Sequence, residues 1–224
     1  MPSFIAATPA WPSPGRFALA LIVSFTLTLI SAWAWGQALI EALLPNTHAL
    51  LSVLDDRFDI LFLGVEHNWQ DSVVRLRVNI VTLLVLGGEV LTPHPKGWLE
   101  VTTTLGAMLQ PLVIAPAIAA ALPGRVAARL ARFGVAVLLA LGFLVIDLPL
   151  TLYAYVWDIL IVSLDPNGFS PLLAWHEFLH AGGRLGMGVL LGLLAWRIER
   201  RVGGRLNRRG LLSETQTAGV PRGR

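Results

Sequence analysis

Residues 134–157 read GVAVLLALGFLVIDLPLTLYAYVW, and Asp147 is the single formal charge in that run. A segment so apolar cannot hide its surface in water. At about 1.5 Å per helical residue its length matches a hydrocarbon core about 30 Å thick. Three further runs share the character: 17–35 (FALALIVSFTLTLISAWAW), 105–122 with Pro111 and Pro116, and 178–198. Inside a bilayer every backbone polar group must be satisfied by the protein, which makes the α-helix the spanning form for runs of this length. The expected fold class is therefore an all-α polytopic membrane protein of four transmembrane helices, with a small β-rich outer domain. Composition agrees, since 55% of the 224 residues are hydrophobic and 14% are charged, outside the range of soluble domains. Trp33, Trp35, Trp157, Trp175 and Trp196 fall near the span ends, where indoles favour the membrane interface.

Charge placement sets the expected orientation. Arg16 precedes the first run, Arg125, Arg129 and Arg132 lie between the second and third, and Arg197, Arg200, Arg201, Arg205, Arg208 and Arg209 follow the last. The other connections hold most of the acids, from Asp55 to Glu100 and again at Asp158 and Asp165. Arginine-rich segments stay on the cytoplasmic side. The resulting plan has a cytoplasmic N-terminus (1–16), a first span (17–44), an outer β-rich domain (45–103) and a second span (104–122). A basic cytoplasmic loop (123–133), a third span (134–157) and an outer loop (158–170) come next. A long fourth helix (171–201) and a disordered basic cytoplasmic tail (202–224) complete it. The expected location is a bacterial inner membrane with both termini cytoplasmic. Ala32-Trp33-Ala34 has the small-x-small form of a signal cleavage site, but its tryptophans favour an uncleaved anchor. The tail RIERRVGGRLNRRG lacks interleaved aromatics, so anionic lipid rather than nucleic acid is its expected partner. There are no cysteines, which excludes disulfides, thiolate nucleophiles and Cys-based metal sites.

Within 45–103, DSVVRLRVNIV alternates apolar and polar residues, the period of a half-buried strand. FDILFLGVEH and WLEVTTT read as further strands, separated by HNWQDS and GGEVLTPHPKG, both rich in turn formers. NIVTLLVLGGEVL is too short for a fifth span and reads as strand and turn. So small a β-rich piece is marginal alone. It is expected to lean on the helices or to dock an envelope protein partner.

The fourth helix carries the chemistry. Ser170-Pro171 is a good helix start, and the helix is expected to run unbroken to about Arg201, roughly 45 Å. His176 and His180 are then i and i+4 on one face, with Glu177 displaced by about 100°. Two imidazoles so placed hold zinc in hydrolases, and the carboxylate takes a proton from the metal-bound water. HEFLHAGGRLGMG resembles the metal-binding helix of the site-2 protease family of membrane metallopeptidases. The resemblance implies a zinc cofactor, with His176 and His180 as ligands and Glu177 as the catalytic base. No aspartate follows Asp165, so a third metal ligand must lie upstream. Asp158 is the first candidate, with Asp165 and His94 behind it. The layout also resembles exosortases and archaeosortases, whose pattern is an outer cysteine, arginine and histidine. Thr102–Thr104 and Trp157-Asp158 stand in the first two places, and only His176 or His180 fits the third.

Asp147 and Asp158 are eleven residues apart, about 20° out of phase on a helix. Arg184 continues the histidine face by another i+4 step. Intramembrane charges are expensive and normally pair, so Asp147 and Arg184 are expected to form an intramembrane ion pair; a proton or ion relay is the functional alternative. Gly182 with Gly186, and Gly188 with Gly192, have the small-x-x-x-small spacing of close helix packing. Two functions remain open at this point: a zinc peptidase at the outer interface, or a non-catalytic envelope component that presents residues 45–103 to a partner.

Overall fold

The structure is a computed structural model and describes residues 13–68, 71–94, 96–165 and 168–217. Most of the expected cytoplasmic N-terminus and the end of the expected tail lie outside these residues. Helix α1 (Pro14–Leu54) opens the chain. It continues ten residues past the expected end of the first span. Pro45 removes one backbone hydrogen bond, but beyond it Thr47 and Leu51 are buried, and tertiary packing carries the helix on.

The β region therefore starts at Asp55 rather than at 45. Strands β1 (Phe58–Asn68), β2 (Asp71–Ile80) and β5 (Leu99–Thr104) form an antiparallel sheet in the order β1-β2-β5. Between β2 and β5 a separate hairpin pairs β3 (Leu84–Leu86) with β4 (Glu89–Leu91) around Gly87 and Gly88, both at positive φ. Val65 pairs with Val74 and Leu76 with Val101. One face of the sheet is thus apolar: Val74, Leu76, Val78 and Val101 join Ile40, Leu105, Met108, Leu148 and Val156 in one core. The sheet is a cap that shares its core with the helices. On its other face Arg75 bridges Glu66 at 3.1 Å and Glu100 at 2.9 Å, and Arg77 bridges Glu100 at 2.6 Å.

Strand β5 runs directly into α2 (Leu105–Ala121), which packs against α1, α3 (Val126–Leu164) and α5 (Arg184–Thr217). With 17 residues, α2 is about 25 Å long. Three runs are long and apolar enough to cross a membrane: Pro14–Leu54, Val126–Leu164 and Pro171–Val202. The second expected span (104–122) falls short because β5 takes the residues before Leu105 and Pro123 follows its end. Helix α3 also outruns its expected limits at both ends, so Arg132 lies within it. Arg132 is buried, and its Nη2 donates to the carbonyls of Leu122 (3.1 Å) and Pro123 (3.2 Å), groups that the end of α2 leaves open.

The largest correction concerns 171–201. The run is α4 (Pro171–Phe178), a π-helical turn (Leu179–Gly183) and α5 (Arg184–Thr217). Ala181 (φ −72°, ψ 15°) and Gly182 (φ 105°, ψ 1°) leave helical geometry. Two consecutive glycines cost a helix about 1 kcal/mol each relative to alanine, and only glycine adopts such a φ without strain. Further on, α5 continues to Thr217 where disorder is expected; the helix formers of RLNRRGLLSE outweigh Gly203 and Gly204.

Gly188 and Gly192 let α5 approach α2 closely. A Cβ on Gly188 would meet Ile114 at 2.9 Å, and one on Gly192 would meet the Ala115 carbonyl at 2.8 Å. Gly186 faces open space. Gly192→Val should therefore lower stability in micelles by about 1–3 kcal/mol through overpacking. Gly186→Ala should leave it equal or higher by about 0.4–1 kcal/mol. Thermal unfolding of both variants checks the contrast.

A polar clamp fixes the sheet to α3. Arg57 Nε and Nη2 donate to both oxygens of Asp55 at 2.7 Å, and the Tyr153 hydroxyl donates to Asp55 Oδ2 at 2.7 Å. The guanidinium also lies 5.2 Å from the Trp157 ring centre. Burial raises the Asp55 carboxyl pKa, but the bonds from Arg57 and Tyr153 outweigh it and hold the group below its ordinary value. A carboxyl depressed in the folded state contributes stability above its unfolded pKa of about 3.9, lost as pH falls through the folded value. Protection factors for amide exchange in β1 and β2, relative to the free-peptide rate at each pH, should thus be constant above about pH 5 and fall in acid. Tyr153→Phe should move that loss of protection to higher pH.

Candidate functional site

Helix α3 presents Asp147, Thr151 and Tyr155 at four-residue steps, one above another on a single face. Across from them stand His176 on α4 and Arg184 at the start of α5. Arg184 Nε donates to Asp147 Oδ2 at 2.9 Å, and its Nη2 donates to Thr151 Oγ1 at 2.7 Å. Thr151 Oγ1 donates in turn to Asp147 Oδ1 at 3.0 Å. The three side chains close a ring of hydrogen bonds, and Asp147 and Arg184 are each only 2% exposed. A buried ion pair is tolerated when its remaining donors and acceptors are satisfied; the Thr151 hydroxyl does that here.

The break at Gly182 does not disturb this pair, because Arg184 is the first residue of α5 and depends only on how α5 meets α3. It does uncouple the histidines from the direction of α5. His176 is buried, its ring edge-on to Tyr155 at 4.4 Å between centres. Its Nε2 is buried without a hydrogen-bond partner among the described residues. The rings of His176 and His180 are 5.9 Å apart at 25°, yet His180 is exposed, as is Glu177.

The proposed third metal ligands lie elsewhere. Asp158 is exposed on α3. At that height α3 is covered by the sheet on the side of Tyr153 and Val156 and by α4 at Tyr155, and the side holding Asp158 and Ile159 is open. Asp147 and Asp158 are close in phase on one helix, but Asp147 is buried and Asp158 is exposed. Asp165 lies in the turn after α3, where its carbonyl accepts from the Gly168 N–H at 2.9 Å. His94 Nδ1 accepts the Lys96 N–H at 3.2 Å. Among the described residues no group of three His, Cys, Asp or Glu is placed to hold a metal ion. The orphaned Nε2 of His176 is the one feature a metal would use, and the Arg184 cation stands on the same side of the bundle. Among the described residues these side chains do not form the three-ligand set that a zinc hydrolase requires.

What the arrangement provides is a polar column inside an apolar bundle: an ion pair at the bottom, a hydroxyl above it, then a phenol against an imidazole. The sequence pattern alone does not single out Thr151 and Tyr155: their signal is the i+4 spacing from Asp147, obscured because the period-3.6 pattern is weak where a helix is apolar all round. The chain matches no protein-family model, no curated protein and no solved structure.

The ion pair gives a sharp test. Removing one partner leaves a buried charge, so Arg184→Met should destabilise the protein by about 3–5 kcal/mol. The double variant Asp147→Leu/Arg184→Met should recover most of that loss. Unfolding of both variants in the same detergent measures the difference; equal losses would mean that the pair is not coupled.

Proposed function

We propose that this chain is a non-catalytic membrane component of the cell envelope, built to hold a small rigid surface above the bilayer for a protein partner. In this reading α2 is a fourth span. Its 17 residues suffice because α1, α3 and α5 surround it and little of it needs to meet lipid. In this reading both termini and the α2–α3 turn lie in the cytoplasm of a bacterial cell and the sheet lies outside the inner membrane, an orientation that the arginine-rich segments support.

One observation carries the reading. Val85 and Val90 face each other across the β3–β4 ladder and are 64% and 54% exposed, whereas Leu84 on the opposite face is 3% exposed. The hairpin turn is anchored, since Gly87 lies against the Leu164 carbonyl at the end of α3. From Arg132 to Leu164 α3 rises about 48 Å, and the hydrocarbon core is about 30 Å thick. With Arg132 at the inner boundary, the hairpin stands roughly 18 Å beyond the outer edge of the hydrocarbon, in water. Lone exposed apolar residues are ordinary, but a paired apolar face outside the lipid on a fixed hairpin marks a contact surface. The Asp55–Arg57–Tyr153 clamp gives it a rigid base, which lowers the cost of ordering on binding.

A photocrosslinking residue at Val85 in native membranes should capture one discrete polypeptide, and Val90→Asp should abolish the product. An impermeant maleimide should label Val85→Cys but not Val126→Cys in intact cells. Crosslinking to no defined protein, or labelling at Val126, would end this reading.

A further inference from the structure

A groove of about 710 Å³, lined by no residue of α3, runs between α1 and α2 beneath the β1–β2 end of the sheet. Its lining changes character along its length. Phe25, Leu29, Val113 and Ile114 form the deep end, and His67, Asp71, Ser72 and Thr104 form the rim. Along α1 the groove extends from Phe25 to Gln37, about 18 Å of helix. One leaflet of hydrocarbon is about 15 Å deep. Trp33, which lines the groove, and Trp35 are both strongly exposed on α1, and that indole pair marks the interface. The apolar end therefore lies in the acyl region and the polar rim at headgroup level. These are the dimensions and the polarity order of one membrane phospholipid.

The rim also selects a headgroup. Among the described residues no lysine or arginine lines the groove, and Asp71 supplies its one carboxylate. A net anionic headgroup would meet a like charge there. A zwitterion with a primary ammonium would place that group on Asp71, with N–H donors for the carboxylate, while its phosphate accepts from the Ser72 and Thr104 hydroxyls. The same rim holds Leu105 and Gly106, the first residues of α2. No acidic side chain occupies that first turn, so its N–H groups do not oppose a phosphate. We propose that this groove is a binding site for one aminophospholipid of the phosphatidylethanolamine type, with an acyl chain along α1 and α2 and the ammonium on Asp71. The site is separate from the hairpin and does not depend on a protein partner.

The floor of the site is fixed. Ser24 Oγ donates to the Ala117 carbonyl at 2.8 Å and Thr28 Oγ1 to the Val113 carbonyl at 3.0 Å, binding α1 to α2 at the deep end of the groove. Hydroxyl bonds between spans hold helices together where lipid supplies no partner. The groove is therefore a standing gap between two tied helices.

The test uses the full chain in bilayers of equal parts phosphatidylethanolamine, phosphatidylcholine and phosphatidylglycerol, released and weighed by native mass spectrometry. The expected result is one retained phospholipid, with the ethanolamine lipid enriched about fivefold over each of the others, the size expected for a half-solvated charge contact. Asp71→Asn should abolish the enrichment, and Leu29→Trp, which fills the deep end, should abolish retention of all three lipids. Retention in proportion to bilayer composition, preference for the glycerol lipid, or a polypeptide crosslinked at Leu29 in place of lipid would overturn the proposal. Should either variant fail to fold, the selectivity of the unaltered chain decides alone.

Discussion

A bilayer has one thickness, and two helices of this protein are far too long for it. Helices α1 and α3, of 41 and 39 residues, are each about 60 Å long against a core of about 30 Å. Their surplus must stand in water with its apolar faces covered. The β region meets that requirement. Its inward residues Val74, Leu76, Val78 and Val101 lie on Ile40, Leu51 and Val156 of the protruding helices, and the helices supply the apolar surface that a sheet of this size cannot supply for itself. Neither half of this arrangement is a domain in its own right. The Asp55 clamp sits at the joint between them because a polar contact there orients what apolar contact alone would leave free to slide.

The sequence was most legible where the physics is local. Strands β1, β2 and β5 lie close to where alternation and turn residues put them, and the Gly87-Gly88 hairpin occupies the stretch read as strand and turn. Apolar runs located the helices but not their ends. Helix ends are set by what the last turns pack against: Leu51 near the end of α1 lies in the core shared with the sheet, and Leu160 near the end of α3 is buried too. The same cause hid the shortness of α2. Its apolar run continues past the helix end to Leu122, and the start at Leu105 is fixed by β5 pairing with β2, a contact about 25 residues away in sequence that no window could include.

The candidate site was legible in its charges and obscure in its geometry. Two lone charges in apolar runs imply a pair, and Asp147 and Arg184 lie within hydrogen-bond distance. The histidine motif shows what spacing can and cannot say: His176 and His180 do stack, at 5.9 Å between ring centres, but i+4 spacing carries no information about a third group arriving from elsewhere. Gly182 has two readings in a sequence, a packing residue or a breaker, and spacing to Gly186 favoured the first. Its φ of 105° makes it the second. Nearby, Gly188 and Gly192 do pack, because α2 lies directly across from them. Identical residues in one run thus have opposite roles, decided by whether a neighbouring helix is present.

Breaking the last span just before Arg184 also has an energetic logic. A straight helix from Pro171 would fix the rotation of His176 and Arg184 together, and both could face α3 only if that rotation suited both. The π-helical turn uncouples them. Arg184 is then oriented by its ring of bonds with Asp147 and Thr151, and His176 by its contact with Tyr155. The cost is the local irregularity at Ala181 and Gly182, which glycine keeps small. The return is two polar contacts between α3 and the last span, at different depths, where lipid would offer neither side chain a partner. With the Arg132–Glu199 pair at 3.8 Å toward the other end of α3, those contacts set how the last span is turned against α3.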